Sequence, residues 1–320
     1  MSISPSRHLV LGAHGQTGTY LVEHLLDQGH MVFGIATGKN LYSFGTHLNY
    51  RGFNIRMDLD TDFYQLFEIT NPDTVFNLAS MSSVYECNRN KNGSRIVNYL
   101  LVKKLSRDLI KYNEDYSKCV KLTQASSSEM YTGNKSLQVV DVTTPISPGS
   151  IYGEHKALAH AFLVELRKSG NLVTSSAILF NHESPRRLDH FVSKKITNFA
   201  KGLNQGENRK ITLGNIDIKR DWGYAKDYAE ILLKIASFHE QGDFIVASGE
   251  LHSVKEFLLK SLEFCDLSLK DIEIVIDNAL IRLGEHPGLM GNMSYTHEKL
   301  RDIPTTSFEK LVRHMFDKEG

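Results

Sequence analysis

The stretch His8-Leu9-Val10-Leu11-Gly12-Ala13-His14-Gly15-Gln16-Thr17-Gly18 decides the fold. His8 to Leu11 reads as a short apolar strand that runs straight into glycines spaced G-x-x-G-x-x-G. Tyr20-Leu21-Val22-Glu23-His24-Leu25-Leu26 then carries helical apolar spacing, and Met31-Val32-Phe33-Gly34-Ile35 reads as the next strand. Glycines between a strand and a helix let the backbone approach a pyrophosphate at the helix N-terminus. The bland alternative is a tight turn that needs glycine only for its φ angles. A complete strand–turn–helix–strand unit around the glycines favours the dinucleotide site.

Working outward, the alternation continues to about residue 180. Strands are expected at Gly52–Asp58, Asp73–Ala79, Cys119–Ala125 and Leu172–Phe180, with helices at about Ser94–Tyr112 and from Tyr152 to about Lys168. Such alternation predicts an α/β protein with a doubly wound parallel sheet of Rossmann type. Beyond Phe180 it breaks down. Pro185-Arg186-Arg187 and the stretches 202–210 and 284–291 read as loops and short elements of a smaller mixed α/β lobe. The expected division is a dinucleotide-binding domain over 1–180 with a returning segment at about 213–246, and a substrate-binding lobe from 181–212 and 247–320. No linker or internal repeat separates them, and a cleft between them is expected at the C-terminal ends of the strands.

Composition narrows the function classes. The 320 residues are 41% hydrophobic and 23% charged, ordinary for a globular protein. Lys+Arg and Asp+Glu both number 37, which argues against nucleic-acid or membrane-surface binding through bulk charge. No apolar run approaches the ~20 residues of a membrane span, and no signal-peptide pattern opens the chain. Cys87, Cys119 and Cys265 have neither metal-ligand nor disulfide-framework spacing, consistent with a reducing cytoplasm. The 14 histidines include no H-x-x-H or H-E-x-x-H pair, so no catalytic metal is expected.

The chemistry points to Ser126-Ser127-Ser128-Glu129 and Tyr152-Gly153-Glu154-His155-Lys156. Tyr152 and Lys156 stand one helical turn apart on one face. An ammonium beside a phenol is expected to pull the tyrosine down from its usual value of about 10, so that it takes a proton from a sugar hydroxyl. Ser127 and Glu129, at the end of the preceding strand, would face the same substrate atoms. Taken alone, Tyr-x-x-x-Lys is also an ordinary polar helix face.

Together, Gly12–Gly18, Asn77-Leu78-Ala79, Ser127/Glu129 and Tyr152/Lys156 resemble the extended short-chain dehydrogenase/reductases that act on nucleotide sugars. Ile178-Leu179-Phe180-Asn181-His182-Glu183-Ser184-Pro185-Arg186-Arg187 and Leu213–Tyr228 resemble the GDP-mannose 4,6-dehydratase branch, and Arg282, Glu285, Gly291-Asn292 and His297–Leu300 fit its C-terminal segment. The resemblance implies a redox-neutral lyase reaction. Tyr152 would deprotonate the 4-hydroxyl as hydride leaves C4 for a nicotinamide, with Ser127 bonding the same oxygen and Lys156 holding the cofactor ribose. Glu129 would then abstract the C5 proton and help water leave C6. Hydride returns to C6, giving a 4-keto-6-deoxy sugar and a cofactor that stays bound and is recycled. It assigns Gly12, Gly15, Gln16, Thr17, Gly18, Thr37, Lys39, Asp58, Leu59, Leu78, Ala79, Ser80, Tyr152, Lys156 and Arg187 to the cofactor. Ser82, Ser127, Asn181, Lys194, Arg220, Arg282 and Glu285 fall to the GDP-sugar, arginine suiting a diphosphate by its planar fork. Arg220 beside Asp221 also fits a surface ion pair. Trp222 fits core packing, and His182 a structural role. Kinship further implies a homodimer through the helices near 94–112 and 152–168. The Arg186–Arg187 loop, which in the family reaches a neighbouring subunit near its cofactor, would extend this to a homotetramer.

Four departures limit the analogy. The stretch Ala36-Thr37-Gly38-Lys39-Asn40 has neither the family's arginine pair for NADP nor the acidic residue expected for NAD, so NADP is favoured by resemblance alone and NAD stays open. Gly149 and Ile151 replace an arginine and a proline before the catalytic tyrosine. Thr132 stands where a glycine usually follows Glu-x-Tyr, and the insert before Arg282 is short. These departures point to a modified GDP-sugar, such as a heptose or amino sugar, rather than mannose. A nucleotide-sugar 4-epimerase or 4-keto reductase would use the same Tyr/Lys pair, and a non-catalytic dinucleotide-binding subunit is the reading from another class.

Overall fold

A computed structural model describes residues 5–37, 44–203, 206, 208–281 and 284–317. In chain order the first half runs β1 (Arg7–Leu11), α1 (Gln16–Asp27), β2 (Met31–Ala36), β3 (Tyr50–Asn54), α2 (Phe63–Thr70), β4 (Thr74–Asn77), α3 (Val84–Arg89), α4 (Lys91–Arg95), α5 (Leu101–Asp115), β5 (Lys121–Ser127), β6 (Val139–Val140), α6 (Ile151–Lys168) and β7 (Thr174–Leu179). The second half adds β8 (Asn181–Glu183), α7 (Val192–Leu203), β9 (Lys210–Leu213), β10 (Lys219–Tyr224), α8 (Ala225–Ser237), β11 (Asp243–Val246), β12 (Leu251–Ser253), α9 (Val254–Glu263), β13 (Glu273–Ile276), β14 (Met290–Gly291), α10 (Ser294–Leu300) and α11 (Phe308–His314).

Seven strands form one parallel sheet in the order β11-β7-β5-β4-β1-β2-β3. β1 pairs with β2 on one side and β4 on the other, so the connections reverse direction there, and a crevice opens beyond its C-terminal end. The central strands are apolar on both faces because helices cover both. Tyr20, Leu21 and Leu25 of α1 pack with Ala229 and Leu232 of α8 on one face. Phe63 and Phe67 of α2, Leu105 and Leu109 of α5 and Leu163 of α6 fill the other.

The smaller lobe has its own core, built on Trp222, Phe257 and Phe308. Trp222 meets Phe257 edge-on at 5.0 Å between centroids, the packing role expected of it. The returning segment reaches the large sheet later than the sequence predicts. β10 pairs with β8 and β12 in the lobe, and only α8 and β11 rejoin the main body. Two other elements also differ. The third strand occupies Tyr50–Asn54 rather than 52–58, because its register to β2 begins at Val32↔Tyr50. The helix expected at 94–112 is two α-helices joined by a π-helical turn, Ile96–Leu100.

Candidate active site

β5 ends at Ser127 and turns into a short 3₁₀ segment, Ser128–Tyr131, that carries Glu129. α6 begins one residue before Tyr152, capped by the Ser150 hydroxyl, which accepts from Gly153 N at 3.0 Å. These two starts bring Ser127, Glu129, Tyr152 and Lys156 to one wall of a cleft of about 1870 Å³. The same cleft is lined by Gly12, Gly15, Gln16, Thr17 and Gly18, and by Leu78, Ser80, Ser82, Asn181, Arg187, Arg220 and Glu285.

Tyr152 and Lys156 are both buried, 7% and 3% exposed, yet face this cleft. Burial pushes the Tyr152 phenol up to about 12, opposed by hydrogen bonds with the Ser127 and Ser80 hydroxyls. This corrects the expectation of a phenol drawn down by its neighbouring ammonium. Lys156 Nζ donates to Ala125 O at 2.9 Å and lies 5.8 Å from the Tyr152 ring centroid, while its own burial pulls it down to about 8. Desolvation of both groups outweighs their mutual effect.

A second tier of polar groups supports this pair, and sequence reasoning missed it. Asn98, in the π-helical turn, accepts from Ser80 Oγ at 2.8 Å and Met81 N at 3.1 Å, and donates to Met81 O at 3.1 Å. Ser94 Oγ, 3.2 Å from Asn98 Nδ2, also bonds His155 Nδ1 at 2.9 Å. Asn98 is the buried residue of the π-turn and points its amide to Ser80 and Met81. In the sequence an asparagine inside a polar helix gives no such signal.

The glycine turn is as tight as its spacing implies. Gly12 adopts φ +81°, and a Cβ there would lie 2.9 Å from Ala79 N. A side chain at Gly18 would collide with Gly12 O. Backbone therefore packs on backbone, and the first turn of α1, with no side-chain cap at Gly15, opens into the cleft. Gln16 ties this turn to the substrate lobe: its Nε2 donates to His182 O at 2.9 Å and its Oε1 accepts from Ser184 Oγ at 3.0 Å. His182 also lines the cleft, its Nδ1 2.8 Å from Phe180 O and its pKa pulled down to about 4, chiefly by burial.

The arginines that line the cleft, and Arg186 beside them, already have partners in the chain. Arg220 pairs with Glu285 and donates to Lys219 O at 2.7 Å and His286 O at 3.2 Å. It does not pair with Asp221, which is buried and accepts from Ser248 N at 2.6 Å, Gly249 N at 3.0 Å and Gly291 N at 3.0 Å. Arg187 Nε lies 3.1 Å from buried Glu183 Oε2, with its guanidinium 3.5 Å from the centre of the Phe191 ring. Arg186 makes paired bonds to Glu23 of α1 at 2.8 and 3.0 Å, over the face of Tyr20.

Other sequence-assigned residues lie off the cleft lining. Lys194 Nζ donates to Pro185 O at 2.6 Å; the lysine that lines the cleft is Lys195, one position on along α7. Thr37 Oγ1 donates to Ile55 O at 3.1 Å, Asp58 Oδ1 accepts from Asp60 N at 3.1 Å, Leu59 is exposed, and Ala79 abuts Gly12. Lys39 and Arg282 fall outside the described residues. No cluster of three or more metal-ligating side chains occurs among the described residues.

Comparison with known proteins gives a consistent picture. The family model for GDP-mannose 4,6 dehydratase matches residues 9–315. GDP-mannose 4,6 dehydratase 1 of Arabidopsis thaliana is 34% identical, covering 97% of this chain and 89% of that protein. The Homo sapiens GDP-mannose 4,6 dehydratase is 32% identical over 96% of this chain and 89% of its own length. Among solved structures, a UDP-N-acetylglucosamine 4-epimerase from Methanobrevibacter ruminantium M1 superposes with TM-score 0.81 at 23% identity, covering 98% of this chain and 97% of that one, a likeness of fold.

Proposed function

The chain belongs to the GDP-mannose 4,6-dehydratase family, and on that premise we propose that it removes water from a GDP-sugar to give the 4-keto-6-deoxy product. The observation that carries this reading is one cleft wall on which the Glu129 carboxylate joins Ser127, Tyr152 and Lys156.

The glycine turn fits a nicotinamide dinucleotide, since backbone packed on backbone at Gly12 and Gly18 leaves the α1 N-terminus open to a pyrophosphate. Bound there, that group supplies a hydride acceptor and donor, so the reaction ends with no net change of redox state. We read it as NADP by family resemblance, since the stretch after β2 holds neither the acidic residue that selects NAD ribose nor an arginine pair for a 2′-phosphate.

The residues of the chain do the proton work. Ser127 and Tyr152 hold the 4-oxygen of the sugar, and Tyr152 takes its proton. Burial opposes that ionisation, and the Lys156 ammonium one turn away is the group placed to favour it. A carbonyl at C4 acidifies the neighbouring C5–H, which an ordinary carboxylate then removes. Glu129 takes that proton and returns it to the oxygen leaving C6, and the proton that Tyr152 took from the 4-oxygen balances the one that C5 regains when hydride reaches C6. Asn181, Arg220, Lys195 and Glu285 anchor the GDP moiety, and Arg187 serves the cofactor. Gly149 and Ile151 reshape the sugar end, which points to a GDP-heptose or GDP-amino sugar with a free 6-hydroxyl rather than GDP-mannose. Among the described residues no helix is long and apolar enough to cross a membrane, and we place the enzyme in the cytoplasm as a homodimer or homotetramer.

Incubation with a panel of GDP-sugars and either dinucleotide, read by mass spectrometry and NMR, tests this. One substrate is expected to lose one water with the cofactor unchanged. A product of unchanged mass with inverted C4 would make the protein an epimerase, and net oxidation of reduced cofactor would make it a reductase.

A further inference from the structure

Glu129 is approached by two hydroxyls, both at the same oxygen. Thr132 Oγ1 lies 3.4 Å from Glu129 Oε2 and 3.0 Å from Glu129 O. Ser150 Oγ, the cap of α6, lies 3.3 Å from the same Oε2. A hydroxyl has one proton to give; Thr132 Oγ1 is nearer Glu129 O, while the carboxylate oxygen within its reach is the more strongly attracting acceptor. Among the described residues, no group of the chain hydrogen-bonds Glu129 Oε1, and Glu129 itself lines the cleft.

Thr132 and Gly149, singled out separately in the sequence, meet in the structure. The 147–149 segment lies flat on the turn at 132–133. Gly133 N donates to Ser147 O at 2.7 Å, and Gly149 N donates to Thr132 Oγ1 at 3.3 Å. A Cβ at 149 would lie 2.8 Å from Thr132 O and 2.9 Å from its carbonyl carbon. No residue with a side chain fits at 149 while the turn keeps this position, and the turn is what brings the Thr132 hydroxyl to the carboxylate.

We propose that Thr132 is a positioning residue for the elimination step. With Ser150 it fixes Oε2 of Glu129 and so presents Oε1 to the sugar. Oε1 takes the C5 proton, the electron pair left at C5 forms the C5–C6 double bond, and the C6–O bond breaks. The same proton leaves with that oxygen as water, and Glu129 ends ionised as it began. Gly149 acts one step further back, by leaving room for the turn.

This rests on the dehydratase reading, and the experiment separates the two. Thr132→Val, Thr132→Ala, Thr132→Ser and Gly149→Ala are made in the full chain and assayed on the GDP-sugar that the wild type dehydrates, following water loss, reduced cofactor in the steady state, KM and melting temperature. Thr132→Val and Thr132→Ala are expected to slow water loss about tenfold, the loss of one charge-assisted hydrogen bond. KM should stay within about twofold, because the hydroxyl serves the reacting carboxylate and not ground-state binding. Reduced cofactor should accumulate, since oxidation at C4 outruns elimination. Thr132→Ser should restore most of the rate, and Gly149→Ala should reproduce the valine defect with Thr132 still present. Wild-type rates in both Thr132→Val and Thr132→Ala would overturn the role of Thr132 alone. Equal loss in the serine and valine variants, tracking melting temperature, would reduce it to a structural residue. A wild type that removes water from no GDP-sugar would overturn the dehydratase reading, and this role with it.

Discussion

The two ends of the cleft are built differently. At the reacting end Tyr152 and Lys156 are buried and held by hydroxyls and a carbonyl, and the Glu129 carboxylate meets two hydroxyls. At the anchoring end the cations are already engaged: Arg220 with Glu285, Arg187 with Glu183, and Lys195 with Thr212 O at 2.6 Å. The reacting end is thus arranged before a ligand arrives, at the cost of two desolvated ionisable groups. The anchoring end must exchange its own acceptors for phosphate oxygens. Substitutions at the first should change rate, and substitutions at the second should change affinity.

The largest effect is expected at Tyr152. Tyr152→Phe should lower kcat about 10³-fold, the scale of a lost general base, with KM for the GDP-sugar changed only a few-fold. A KM effect that dominates would break the contrast between the two ends. Glu129→Gln should cost about 10²-fold in water loss while reduced cofactor still forms, because the amide removes the C5 base and leaves the C4 chemistry intact. Absorbance of the reduced cofactor in a single turnover checks this directly.

At the anchoring end Arg220→Met should raise KM about tenfold or more with kcat nearly unchanged, since one charged hydrogen-bond partner contributes ~1.5–3 kcal/mol. The smallest effect is on stability. Lys156 is pulled down to about 8 in the folded chain, chiefly by burial. Below that pH its charge is carried in both states and the fold bears the full penalty. Between about 8 and the unfolded lysine value of about 10.4, the unfolded chain holds more protons and stability rises with pH. Lys156→Met should therefore melt higher than wild type at pH 7, by about 1–2 kcal/mol after the lost bond to Ala125 O is deducted. The gap should narrow as pH climbs above 8. Lys156→Met melting lower than wild type at pH 7 would contradict the desolvation account.

The reacting end was the more legible in sequence, and for a physical reason. Gly12–Gly18 and Tyr152/Lys156 are local patterns: a strand-to-helix turn and one helical turn carry their geometry within a few residues. Strands β1, β2, β4, β5 and β7 were legible too, as apolar runs spaced by helices. The lobe depends on pairings between distant segments, such as Trp222↔Asn181 and Arg220↔His252, that no local pattern announces. That is why the segment returning at about 213–246 contributes only α8 and β11 to the main body, with β10 in the lobe. The pKa of Tyr152 was misjudged because spacing shows a neighbour but not its burial. Asn98 was missed because a π-helical turn leaves no mark on composition.

Internal hydride transfer is read out by turnover of a GDP-sugar labelled with deuterium at C4, with the product analysed by NMR. The label is expected at C6 of a 4-keto-6-deoxy sugar, carried there within one active site. Label recovered at C4 of a sugar that keeps its 6-hydroxyl would contradict it.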